Sequence, residues 1–258
     1  MLGLPGAGKS TLAEMAERDV EVLSIPGLIQ RERLRVRPLR RHRVAMRLLP
    51  ERLKLRVLTA PTPDAKDAAA FAMDHPDHRD AVIRAGDLVS EPDQREIAVP
   101  LLFESWSEYG FAERVRRPGD QVLFHEAILQ RTAFLMAVVP PASGAVTDLL
   151  DSLPPPDGVV LLDLPLELAI DRVVTRGREF LMTEVMASMS QQIDAIVGRL
   201  RSRGVPVAVV RADRPPNQSL PEVNEFLREQ LRRADRQGRT PPNDASLGAA
   251  RPNMNELS

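Results

Sequence analysis

Apolar residues recur along this chain with two spacings. Four short continuous runs, Val20–Ile25, Gln121–Phe124, Gly158–Leu164 and Val205–Val210, predict buried strands. Between them apolar positions return every three or four residues, the signature of helices with one buried face. This predicts helices over Lys9–Asp19, residues 64–75 and 77–89, Pro100–Arg116, Glu126–Val139, residues 143–152, Leu166–Arg176, Thr183–Arg203 and Pro221–Arg233. Pro26-Gly27 ends the first run, and Pro38 and Pro50 divide Arg31–Arg56 into two or three short helices. Continuous apolar strands alternating with helices imply a mainly parallel sheet covered on both faces, a three-layer α/β/α arrangement. Sheets of this kind bind ligands at the carboxyl ends of their strands.

The first helix is preceded by Gly3-Leu4-Pro5-Gly6-Ala7-Gly8-Lys9-Ser10, a complete G-x-x-x-x-G-K-[ST] pattern. Glycines at these positions let backbone N–H groups turn inward around a phosphate, and the helix start adds its positive end. Gly3, Pro5, Gly6, Ala7 and Gly8 are thus expected to form a triphosphate cradle. Lys9 is expected on the β- and γ-phosphates, Ser10 on Mg²⁺ and Thr11 at the α-phosphate. Only Met1 and Leu2 precede Gly3, where a strand normally supplies about five apolar residues. The first strand is therefore largely missing, and the natural protein is expected to start upstream.

Two further groups follow strands. Gln121–Phe124 runs into His125-Glu126. A phosphoryl-transfer site wants a carboxylate here, to hold a metal-bound water or take the acceptor's proton. Glu126 is the nearby carboxylate and is assigned the base and metal role; His125 is either an acceptor contact or a polar strand end. Gly158–Leu164 leads into a helix with Arg172 and Arg176 four residues apart, then Gly177 and Arg178. Guanidinium groups so placed stabilise charge spread over a transferring phosphoryl group. The alternative is a solvated basic helix end favoured by the helix dipole. Arg131, on the helix after the middle strand, is assigned to the acceptor.

The run Leu161–Arg178, the following helix, the strand Val205–Val210 and the last helix resemble the carboxyl half of thymidylate kinase and related nucleoside and nucleotide kinases. The resemblance implies an arginine lid over ATP, at about residues 172–183, and a loop at Ala212-Asp213 packed by the adenine. Phe124–Arg131, with Gln130, resembles small P-loop kinase-like proteins bearing Asp-x-Gly-x-x-Gln. His125 and Ala127 replace the Asp and Gly, the Asp-Arg dipeptide of thymidylate kinase is absent, and Ser24-Ile25-Pro26-Gly27 is a remnant of its Arg-Glu-Pro-Gly-Gly loop. The resemblance implies a P-loop kinase using ATP and Mg²⁺, with the acceptor left open between nucleoside, nucleotide and sugar-like molecules. A nucleotide-binding switch without acceptor chemistry is the rival reading. The guanine-reading Asn-Lys-x-Asp of regulatory GTPases does not occur.

Composition refines this picture. The chain divides into a kinase-like unit over residues 1–233, with a helical acceptor-side insertion at about 28–117, and a polar tail over 234–258, expected to be disordered. Arg31–Arg56 holds eleven lysines and arginines against Glu32 and Glu51. That suits an anionic partner, or a plain helical cap neutralised by the acidic stretch 64–96. Trp106, Tyr109 and Phe111 either stack on an acceptor base or pack in the core. His75 and His78 are expected in a surface loop. Cysteine is absent, which excludes disulfides and thiol chemistry and fits a reducing cytoplasm. No apolar run reaches the roughly 18–20 residues of a membrane span.

Overall fold

The computed structural model describes residues 1–41, 61–117, 119–126, 128–140, 143–177 and 183–236. The second half of the basic stretch, Arg178 and the end of the tail lie outside the described residues. The chain folds as helices α1 (Lys9–Asp19), α2 (Ile25–Arg41), α3 (Ala65–Asp74), α4 (Pro76–Leu88), α5 (Pro92–Val115), α6 (Ile128–Val138) and α7 (Ala145–Ser152). Strand β1 (Val159–Asp163), helices α8 (Leu166–Thr175) and α9 (Thr183–Ser202), strand β2 (Val207–Arg211) and helix α10 (Pro216–Arg236) follow.

β1 and β2 pair in parallel, Val159 opposite Val207 through Asp163 opposite Arg211. The sheet continues past β1 through single residues. Leu2 bridges Leu161 in parallel, donating to Val160 O at 2.9 Å and accepting from Leu162 N at 2.8 Å. The Met1 amino group donates to the Phe124 carbonyl, so residues 122–124 lie on the other side of Leu2. Leu23 bridges Val122 in parallel at the far edge. The result is a helix-rich α/β fold with a small parallel sheet. Leu2, Leu12, Leu162, Ile128, Leu135 and Leu149 are fully buried in one core shared by the sheet and the helices.

Two predicted strands, at 20–25 and 121–124, contribute only Leu23 and Val122 to the ladder. Ile25 already belongs to α2, because Pro26 fits a first helical turn, where its missing N–H has no partner to lose. Proline also misled at the other boundaries. α2 runs through Pro38, α5 starts at Pro92 and contains Pro100, and α10 contains Pro221. An interior proline forfeits a backbone hydrogen bond, at a cost of about 3 kcal/mol. Around Pro100 this is offset by Ala98 and Leu102, both fully buried.

Helices α3, α4 and α5 pack around aromatic rings. Trp106 and Phe111 are buried and serve the core, with Phe71 stacked 5.9 Å from Trp106. His78 is not in a surface loop: it is buried in α4, edge-on to Trp106 at 6.1 Å, with Nδ1 3.4 Å from Ser152 Oγ. Asp67, buried in α3, takes both arms of Arg114 from α5 at 2.7 and 2.8 Å, and Arg31 of the basic stretch bonds Asp120 at 2.6 Å.

Gly110 of α5 is where α3 comes nearest: an added Cβ would lie 2.1 Å from the Asp67 carbonyl oxygen. Gly110→Ala is expected to lower stability by about 1–3 kcal/mol through forced separation of the two helices, read as a fall in thermal unfolding midpoint. Burial pushes His78 down from 6.5 to about 4, with His75 adding to it. The unfolded chain therefore binds the extra proton between those values, so stability falls as pH drops from about 6.5 to about 4, by about 3 kcal/mol. Denaturant unfolding across this range is expected to show a shallower slope for His78→Phe than for the parent.

Candidate active site

The cradle forms because the chain must reverse sharply between Leu2 in the sheet and α1. Gly6 and Gly8 do this with φ of 85° and 84°, values side-chain-bearing residues avoid. At Gly3 a Cβ would sit 2.7 Å from Leu162 O, so the loop packs against β1 only as glycine. Gly8 caps α1 with no side-chain bond, which leaves the helix's first N–H groups directed at the loop's interior.

Lys9 is 4% exposed, and its Nζ donates to Gly3 O at 2.9 Å and Leu4 O at 3.0 Å. Burial pushes its pKa down to about 8, with the nearby Glu126 charge opposing. An ammonium held on carbonyls inside a ring of amides is a ready anion partner. Ser10 and Thr11 are exposed on the first turn of α1.

Beside the cradle lies a cavity of about 500 Å³, lined by Gly6, Gly8, Thr11, Arg176, Asp213 and Arg214 among others. Its walls come from α1, α8 and the loop after β2, the carboxyl ends of the strands. Arg172 does not point freely into it. Its Nη1 donates to Gly6 O at 3.2 Å and Ala212 O at 3.1 Å, tying the cradle to that loop. Arg176 follows the last turn of α8 on the cavity wall. Asp213 lines it too, while bonding Arg211 through Oδ1 at 3.2 Å. Arg214 donates to Ser219 Oγ at 3.1 Å, and Ser219 in turn donates to Arg211 O at 2.6 Å.

On the other side of Lys9 stand the residues after the middle strand. His125 is half-buried, and burial lowers its pKa, within reach of the charges on Glu126, Lys9 and Glu14. Glu126 is exposed. Arg131 is buried in α6 and is committed to α5, donating to Leu101 O and to Glu104 Oε2 at 2.8 Å. One turn along α5, Glu108 has its pKa pushed up to about 7 by burial; Arg131 opposes, and Glu104 and Glu126 add. Tyr109, its neighbour, stacks on Phe124 at 4.0 Å and 7°.

No family model matches the chain, and no curated protein matches it in sequence. Solved structures do match. A deoxyadenosine kinase from M. mycoides, with products dCMP and a flexible dCDP bound, superposes with a TM-score of 0.52. The overlap covers 88% of this chain and 97% of that one. The chain has the fold of a nucleoside kinase. At 14% identity the likeness is one of fold. The expected likeness thus holds for the fold, which is that of a deoxyadenosine kinase, and does not single out thymidylate kinase.

Within that fold the cradle, Thr11, Arg176 and Asp213 come together on one cavity, while His125 and Glu126 lie within electrostatic reach of Lys9 and Arg131 is held on α5. Sequence reasoning passed over Arg214 and Ser219, although the carboxyl-end rule pointed to the loop after β2. It also passed over Glu14 and Glu108, for which spacing carried no signal.

Lys9 yields a pH expectation. An anion binds the protonated lysine, so a triphosphate held in the cradle would raise its pKa above the free value of about 8. Affinity for Mg-ATP is then flat below about pH 8 and falls by up to about tenfold per unit above it. Fluorescence titration with an N-methylanthraniloyl-ATP between pH 6.5 and 9.5 checks this, and Lys9→Ala is expected to abolish both the binding and its pH dependence.

Proposed function

We propose that this protein is an ATP-dependent phosphotransferase that moves the γ-phosphoryl group to a small acceptor of nucleoside-like or sugar-like type. One observation carries the reading: a buried lysine inside a glycine cradle, opening on a cavity at the carboxyl edge of a parallel sheet. The fold shared with a deoxyadenosine kinase supports it.

In this reading Gly3, Gly6, Ala7 and Gly8 supply amides to the β-phosphate, with Pro5 shaping the turn. Lys9 moves from the two carbonyls to the β- and γ-oxygens. Thr11 meets the α-phosphate, and the base lies near Asp213. Arg176 faces the transferring group, and Arg178, outside the described residues, is assigned the same role from the sequence alone. Arg172 holds the cavity wall to the cradle. The donor set suits Mg²⁺, a hard cation that takes oxygen ligands and shares them with phosphates. Ser10 offers a hydroxyl and Glu126 a carboxylate, and among the described residues no three acidic or histidine side chains would hold a metal on their own. Bound there, the ion would neutralise charge on the phosphates. Glu126 also stands where a proton can be taken from the acceptor. His125, Glu108 and the Arg131–Glu104 pair form the acceptor-facing wall.

The second reading, a nucleotide-binding switch, is favoured by His125 standing where a carboxylate is usual. Its basic stretch, of which only the start is described, would then serve an anionic partner.

ADP formation from Mg-ATP, with a panel of 2′-deoxynucleosides, nucleoside monophosphates and aminosugars, separates the two. Acceptor-dependent ADP formation is expected, lowered about 10²–10³-fold by Arg176→Ala. Tight nucleotide binding with no acceptor dependence would favour the switch.

A further inference from the structure

Helix α6 carries a polar side chain that neither the phosphates nor the acceptor wall uses. Gln130 is 7% exposed. Its Oε1 accepts the Gly3 N–H at 3.2 Å, and its Nε2 lies 4.0 Å from Met189 Sδ. An N–H donor can be met only by the amide's oxygen, so the side chain has one productive orientation. Gly3 is the hinge of the cradle: its N–H is held by Gln130, and its carbonyl receives the Lys9 ammonium at 2.9 Å. No side chain could replace the glycine, since a Cβ would meet Leu162 O.

We propose that Gln130 is a positioning residue for triphosphate binding: by accepting the Gly3 N–H it anchors the origin of the loop whose amides and lysine meet the phosphates. The inference rests on the phosphate-cradle reading above. Gly3 begins the loop with its N–H directed away from β1, and the partner must come from α6. The Leu2–Gly3 peptide is thereby held at both ends, its Leu2 carbonyl accepting from the Leu162 N–H at 2.8 Å and its Gly3 N–H donating to Gln130, and without Gln130 a buried N–H is left unmet. Gln130 touches no phosphate in this scheme. It acts through the loop's origin, so its loss should be felt at the β- and γ-phosphates, which the loop's amides and Lys9 meet, and little at the base. The adjacent Arg131 fastens the same helix to α5 through Leu101 and Glu104, so α6 is braced on one side against the helical half and on the other against the cradle.

The test compares binding of N-methylanthraniloyl-ATP and N-methylanthraniloyl-AMP by the full chain. Gln130→Met keeps the length and volume of the side chain beside Met189 and removes the accepting oxygen. It is expected to weaken ATP by about tenfold, equivalent to about 1.4 kcal/mol, with AMP affinity unchanged. Thr132→Val, a buried polar deletion on the same helix, is expected to alter neither and controls for loss of helix packing. Should the Met variant be unfolded in a thermal scan, Gln130→Glu, which retains an accepting oxygen, is read instead. Its ATP-to-AMP affinity ratio is expected within about threefold of the parent, less than the effect of a lost buried hydrogen bond. Equal losses for ATP and AMP, unchanged ATP binding in Gln130→Met, or a Glu variant as poor as about tenfold below the parent would each overturn the proposal. A parent protein that binds neither nucleotide would overturn the cradle reading together with it.

Discussion

A lysine ammonium buried at the start of a helix has few tolerable arrangements. Taken from water without partners it would cost several kcal/mol and lose its proton. Here Lys9 lies on the carbonyls of Gly3 and Leu4, which face it only because the loop doubles back through residues with positive φ. The rest follows from that constraint. Gly3 must be close enough to β1 that a side chain is excluded. Leu2 must enter the sheet beside Leu161 to hold the loop's origin, and α1 must begin at Lys9. The sheet exists to fix these few atoms, although only β1 and β2 form extended ladders.

How far this could be read from sequence depends on whether geometry dictates residue type. The cradle was legible because its backbone demands glycine at fixed intervals and a lysine at the helix start. β1, α8, α9 and β2 were legible too, since long runs bury one face and Gly177 and Gly204 punctuate them. Leu23 and Val122 were read as parts of strands, but each makes one bridge, because apolar character reports burial and not the number of ladder bonds. The prolines misled for a related reason. A proline marks a helix end only when neighbouring packing does not repay the lost bond, and Ala98 and Leu102 around Pro100 supply that packing.

Side-chain roles were less legible than side-chain positions. Arg172 stands where the lid arginine was expected, yet its hydrogen bonds go to backbone carbonyls. Arg131 is near the expected place and is spent on Leu101 and Glu104. His78 was expected in a surface loop, whereas Pro76 begins α4 and carries His78 inward to Trp106. A sequence gives the spacing of polar groups; which neighbour satisfies each one depends on helices far away along the chain, and no local pattern encodes that choice.

The paired hydrogen bonds that Arg172 donates to the Gly6 and Ala212 carbonyls have a mechanical consequence. Hydrogen bonds from a charged donor contribute about 1.5–3 kcal/mol each, so swinging α8 outward means breaking two of them at once. The front of α8, the phosphate loop and the segment after β2 therefore behave as one rigid frame. A ligand entering the cavity beside the cradle would meet an opening whose width that frame fixes.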